Sequence, residues 1–241
     1  MGLKAVLFDL GGTLTTRDME DRLVDERAVK SLAECIISKG CVMSEENLIR
    51  EYWDNYRVVN DLRERFAIEI HMSVWLGSLT HRLCSRDIAD EILKSAEDQL
   101  ITARVNSAIP FPETESVLED LGSKYHLGVV TNTSSEKVAN GVLRHLDLNQ
   151  FFECVVTSAE LGIRKPYPGI FLFALREIGL EAKDTIFVGD SYRHDVVGSL
   201  RAGMRSCFVG DQNEVSGRMP GPDVVVKSIS EISGAIDSVF R

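Results

Sequence analysis

Short apolar runs recur in this chain, separated by segments whose apolar residues return at helical spacing. The runs are Lys4–Phe8, Leu127–Thr131, Cys154–Thr157, Thr185–Val188, Ser206–Val209 and Val224–Val226. Near-continuous apolar strands are buried on both faces, which predicts a parallel sheet covered by helices on both sides. The intervening helices are readable as well. Ile170, Phe171, Ala174, Leu175 and Ile178 share one helical face, with Pro168 placed for the first turn. Ser134 or Ser135 is positioned to cap a helix carrying Val138, Val142 and Leu146. The expected fold class is α/β, a three-layer parallel-sheet core.

Residues 16–109 have a different texture. Leu23, Ala28, Leu32, Cys35 and Ile36, and later Ile88, Ile92, Leu93 and Ala96, recur at helical spacing. Glycine is sparse there (Gly40, Gly77), and no proline occurs until Pro110 and Pro112. The pattern predicts an inserted bundle of about four or more helices. The core would then comprise residues 1–15 and 110–241. Ile109-Pro110-Phe111-Pro112 marks the expected return hinge, since residues before proline resist the helical region.

At 241 residues and 44% hydrophobic content, the chain can bury one large core or two smaller ones. A net charge of −10 argues against nucleic acid or an anionic membrane surface as partner. Small anionic substrates remain open, because a metal ion and a lysine reverse the sign locally. The five cysteines, Cys35, Cys41, Cys84, Cys154 and Cys207, are scattered and form no Cys-x-x-Cys pair. They read as reduced thiols in a cytoplasmic protein, neither a disulfide framework nor a zinc site. No apolar run approaches the roughly eighteen residues of a membrane span, and Asp9 interrupts the apolar stretch near the N-terminus. Neither a signal peptide nor a span is expected.

The densest chemistry starts at Asp9, which closes Val6-Leu7-Phe8 and opens into Gly11-Gly12-Thr13-Leu14. A carboxylate at the carboxyl end of a buried strand, followed by glycines, sits where open α/β sheets place their sites. Val129-Val130-Thr131-Asn132 follows, then Lys165-Pro166, then Phe187-Val188-Gly189-Asp190 with Asp195 five residues beyond. A carboxylate can attack phosphorus and divide one hard displacement into two. Asp190 and Asp195 near a third carboxylate would repel unless a cation neutralised them, and Mg²⁺ takes such oxygen ligands. A lysine offers a point charge suited to phosphate.

This ordered set resembles the haloacid dehalogenase (HAD) superfamily, and the insertion lies where that family's C1-type helical caps lie. The resemblance implies a Rossmann-like core and a Mg²⁺-dependent phosphatase acting on a small phosphorylated metabolite, with Asp9 as nucleophile. It implies Asp9, the backbone carbonyl of Gly11 and Asp190 as metal ligands, with Asp195 direct or water-mediated. Thr131, Asn132 and Lys165 would receive the phosphate, Asn132 chiefly through its backbone, and Lys165 would also keep Asp9 ionised. Arg164 is expected to face solvent. The expected partner is a small phosphorylated substrate, with no nucleic acid or membrane, and the chain a monomer or homodimer.

One position departs from that family's phosphatases. Their general acid/base is an Asp two residues after the nucleophile, and here that position is Gly11. Another acid could substitute, with Asp18, Glu20, His71 and His81 as candidates. Alternatively, the substrate carries a leaving group that needs no proton, or the protein binds a phosphorylated ligand with little turnover. Haloacid dehalogenation remains an alternative, although those enzymes resemble a pattern with Tyr at this position. A phosphonatase-like reaction would call on a cap lysine (Lys30, Lys39 or Lys94). A phosphomutase is disfavoured, because it needs the missing acid.

Overall fold

The computed structural model describes residues 4–18, 21–38 and 44–239. Glu20, Lys39, Gly40 and Cys41 lie outside them.

In chain order the elements begin with β1 (Ala5–Phe8), β2 (Thr15–Arg17), α1 (Asp21–Ser38), α2 (Glu45–Phe66), α3 (Met72–Leu83), α4 (Arg86–Asn106) and β3 (Ala108–Pro110). They continue with α5 (Thr114–Gly122), β4 (His126–Thr131), α6 (Glu136–His145), β5 (Cys154–Thr157), α7 (Ser158–Leu161), α8 (Pro168–Glu177) and β6 (Thr185–Gly189). The last part holds one π-helical turn (Tyr192–Val196), α9 (Val197–Arg201), β7 (Arg205–Val209), α10 (Gln212–Val215), β8 (Val224–Val226) and α11 (Ile232–Val239).

Six strands form one parallel sheet in the order β5-β4-β1-β6-β7-β8. Each of the six predicted apolar runs is one of these strands, and the α/β fold class holds. The strand β1 is fully buried because both neighbours and both helical layers cover it. Its side chains alternate between two apolar clusters: Val6 and Phe8 pack with Val129 and Val188, while Leu7 packs with Val130 and Phe187. Register then positions the chemistry. Phe8 pairs with Val129 on one side and Val188 on the other, so the residues that follow leave the sheet along the same edge.

Between β2 and β3 the described chain folds into the four helices α1 to α4. The strands β2 and β3 pair antiparallel, Thr15 with Pro110 and Arg17 with Ala108, so the chain enters and leaves the helical insert along one short ribbon. The insert buries Tyr52 and Trp75, edge to face at 5.5 Å, against Tyr56 and Trp53. Its apolar interior is continuous with one face of the sheet, joining Leu32, Trp75 and Ile92 to Phe8 and Val129.

Local signals account for individual helix ends. Pro168 occupies the first turn of α8, where its missing N–H costs nothing. Ser135 precedes α6 as its N-cap residue but makes no capping bond through its side chain. The α4 and α6 backbones cross closely at Gly141, where a Cβ would stand 2.6 Å from Val105 Cγ2. Cys154 and Cys207 are free thiols whose pKa burial pushes up to about 11 and about 12, as inert packing groups require. None of the described helices is long and apolar enough to cross a membrane.

Candidate active site

Asp9 leaves β1 with its backbone N–H held by the carbonyl of Val188, which fixes the strand end against β6. Gly12 follows in a left-handed conformation (φ 85°), and a Cβ there would lie 2.3 Å from Asp190 Oδ2. Only glycine lets the backbone pass that close to a carboxylate. Thr13 then donates its hydroxyl to Asp190 Oδ1 at 3.2 Å.

Lys165 is the centre of the arrangement. Its side chain is 2% exposed, and Nζ lies 2.8 Å from Asp9 Oδ1 and 2.7 Å from Asp195 Oδ1. Asp9, Asp190 and Asp195 bring one oxygen each within 4.8 Å of one another. Burial disfavours the Lys165 charge, but Asp195 and Asp9 outweigh it and raise its pKa. Burial pushes the Asp195 carboxyl up to about 7, with Lys165 opposing and Asp9 assisting. Asp190 is raised too, by partial desolvation and then by the Asp9 charge, with Thr13 opposing. One ammonium does not neutralise three carboxylates. Every donor is a hard oxygen, so the cluster fits a small divalent cation such as Mg²⁺.

Backbone contacts hold these groups in place. Asn132 ties two loops together: Nδ2 donates to the Lys165 carbonyl at 3.1 Å, and Oδ1 accepts from the Lys165 N–H at 2.9 Å. Its side chain, expected to matter less than its backbone, therefore positions the lysine. Ser191 N–H donates to Asp195 Oδ2 at 2.8 Å, anchoring the turn between the last two carboxylates.

A cavity of about 720 Å³ opens over the cluster and takes in Asp9, Gly11, Thr131, Asn132, Lys165, Asp190 and Asp195 together. Asp18, His71 and His81 are not among its lining residues, and neither are Lys30 and Lys94. His71 instead faces Glu136 at 3.1 Å, and His81 faces Asp90 at 3.2 Å. Arg164, expected to face solvent, lines the cavity and is 12% exposed. It pairs with Glu69 at 2.9 Å and Glu64 at 3.2 Å, both from the insert.

The same two carboxylates seat the insert on the core. Glu69 is buried, also pairs with Arg63 at 2.7 Å and accepts from Ser158 Oγ at 2.7 Å. Glu64 receives Arg193 and His194, each at 3.0 Å. Deeper in the insert, Arg104 lines the cavity wall, held by Asp25 through Nε (2.9 Å) and Nη2 (2.6 Å). Tyr52 donates to Asp25 at 3.4 Å. No local pattern marks these partners, so a reading of adjacent residues passes over them.

The chain is 31% identical over 220 residues to the glyceraldehyde 3-phosphate phosphatase of Methanothermobacter thermautotrophicus, covering 87% of each chain. It is 29% identical to the corresponding enzyme of Methanopyrus kandleri, over 84% of this chain and 82% of that one. The crystal structure of a 2-haloacid dehalogenase from Pseudomonas syringae superposes with a TM-score of 0.77 at 26% identity, covering 98% of both chains. The sequence pattern of the haloacid dehalogenase-like hydrolases matches residues 3–203, and the chain belongs to that hydrolase family.

Proposed function

We propose that this chain is a Mg²⁺-dependent phosphatase that hydrolyses a small phosphorylated metabolite, with Asp9 as nucleophile. The observation that carries the reading is the Lys165 ammonium lodged between Asp9 and Asp195, with Asp190 alongside. The similarity to enzymes named as phosphatases over most of the chain supports it.

Asp9 attacks phosphorus while the bond to the leaving oxygen breaks and its electron pair departs with that oxygen. Water then attacks the aspartyl-phosphate, releasing inorganic phosphate and restoring Asp9. Lys165 keeps Asp9 ionised and offers charge to a phosphoryl oxygen, and Thr131 and the Asn132 backbone receive the others. Asp9, the Gly11 carbonyl and Asp190 would hold Mg²⁺, with Asp195 beside them, and such an ion would supply charge neutralisation for the phosphoryl group. The helical insert acts as a cap that excludes water during transfer.

Proton transfer is the weak step. Among the described residues lining the cavity, no carboxylic acid stands outside the Asp9, Asp190 and Asp195 group. His194 also lines it, but its ring nitrogens face Glu64 at 3.0 Å and Ser191 at 3.1 Å. Alkyl phosphates, whose leaving alkoxide needs a proton, are therefore turned over slowly, and aryl or acyl phosphates faster.

The test is hydrolysis of p-nitrophenyl phosphate with Mg²⁺ or with a chelator, repeated with Asp9→Asn. The expected result is a strict need for the ion and a loss of at least about 10³-fold in the variant. Activity indifferent to both contradicts the proposal. The likeness to a 2-haloacid dehalogenase gives the second reading its support, and metal-independent halide release from a 2-haloacid would favour it. Vanadate binding without turnover would favour a phospho-ligand-binding protein.

A further inference from the structure

Arg104 is a costly residue to keep where it stands. Its side chain is 12% exposed and its partner Asp25 is 8% exposed, so both charges have been taken largely out of water. Such a pair rarely improves on well-packed apolar side chains as a source of stability. Yet the insert invests further in it. Tyr52, itself buried, donates to Asp25, and the insert's last helix carries Arg104 to the cavity wall.

The hydrogen bonds show what the guanidinium has left to offer. Nε and Nη2 bind the two Asp25 oxygens at 2.9 and 2.6 Å, and Nη1 donates to Ser134 Oγ at 3.4 Å. Among the described residues three of the five N–H groups have partners, and two remain on a side chain that lines the cavity. Asp25 has already balanced the charge. What Arg104 presents is a rigid pair of donors carrying little net charge, which suits a neutral oxygen better than a second anion. Beside it, Val138, Ala139 and Val142 of α6 supply an apolar wall.

We infer that Arg104 is the insert's specificity residue, binding a hydroxyl or carbonyl oxygen on the leaving-group side of a short aliphatic phosphate ester. The carbon chain of that ester lies against Val138, Ala139 and Val142 while its phosphate rests at Lys165 and Thr131. This rests on the phosphatase reading above. Asp25 and Tyr52 are positioning residues, holding the guanidinium in one orientation.

The experiment compares kcat/KM for glycerol 3-phosphate, 3-phosphoglycerate and propyl phosphate in the parent enzyme, in Arg104→Gln and in Arg104→Lys. The double variant Asp25→Asn/Arg104→Gln is added, because it leaves no unpaired buried carboxylate if the single variant folds poorly. The parent enzyme should prefer glycerol 3-phosphate over propyl phosphate by about ten-fold, the worth of an ordinary hydrogen bond from a donor whose charge is already paired. The variants should lose most of that preference, and lysine, lacking the fork, should not restore it. Leaving-group acidity also separates the substrates, but no substitution in the protein alters it, so the change in ratio isolates Arg104. A parent preference that survives in all variants overturns the inference, as does a preference for 3-phosphoglycerate that Arg104→Gln abolishes. Failure of the parent enzyme to hydrolyse any of these or p-nitrophenyl phosphate overturns the phosphatase reading, and this inference with it.

Discussion

On the sheet side of the cavity, Asp9, Thr131 and Asp190 sit at the ends of three adjacent parallel strands, brought together by backbone register. On the insert side, Arg104 meets Asp25 from 79 positions away in sequence, and Arg164 meets Glu69 from 95. The first arrangement is a consequence of strand pairing and needs few side-chain contacts to hold it. The second depends on buried ion pairs, each of which costs desolvation and must be matched atom by atom. The difference teaches where each kind of information resides. The sheet side carries its candidate chemistry in short local patterns, whereas the insert side, on the inference drawn above, selects what reaches that chemistry through contacts distant in sequence.

The sheet side should therefore be intolerant of substitution. Lys165→Met keeps length and removes the cation that pairs with both Asp9 and Asp195. With Asp195 at 1% exposure, the uncompensated charge should cost about 3–5 kcal/mol of stability, seen as a lower melting temperature without added metal. Turnover of p-nitrophenyl phosphate should fall by at least about 10²-fold. An unchanged melting temperature and rate would show that the lysine is not the electrostatic centre and would break the comparison.

A smaller effect sharpens it from the other direction. Gly11 is exposed, its φ is unremarkable, and a Cβ built there meets no atom within 4 Å. Gly11→Asp should therefore fold normally and restore a proton donor. The expected gain is roughly ten-fold in kcat for alkyl phosphates, with a smaller gain for p-nitrophenyl phosphate, because a grafted carboxylate is imperfectly placed. Metal affinity should barely move, since residue 11 would ligate through its backbone. An unchanged alkyl-to-aryl ratio would mean that a resident acid already acts.

The sheet and its site were legible because the signal is local. Three of the six apolar runs end at or just before a residue that lines the cavity, so Val6-Leu7-Phe8-Asp9 or Phe187-Val188-Gly189-Asp190 announces both strand and candidate site in one reading. The helical character of the insert was legible from spacing, and four helices occupy it among the described residues. The β2/β3 ribbon was not, because strands of three residues leave no period to detect. Arg164 was misread as solvent-facing, since its partners Glu64 and Glu69 are distant in sequence. His71 and His81 were reasonable acids by residue type, but each faces a carboxylate away from the cavity lining.

The central claim is that Asp9 takes the phosphoryl group covalently while position 11 supplies no acid or base. The residue that protonates the leaving group would also activate water in the second step, so its absence slows dephosphorylation most when the leaving group needs no proton. Rapid mixing of the enzyme with p-nitrophenyl phosphate and Mg²⁺ tests this directly. The account predicts a burst of p-nitrophenolate approaching one equivalent per chain, with acid-quenched protein carrying phosphate on the peptide that contains Asp9. Linear release from the first turnover, with no phosphoprotein and with activity retained in Asp9→Asn, would contradict it.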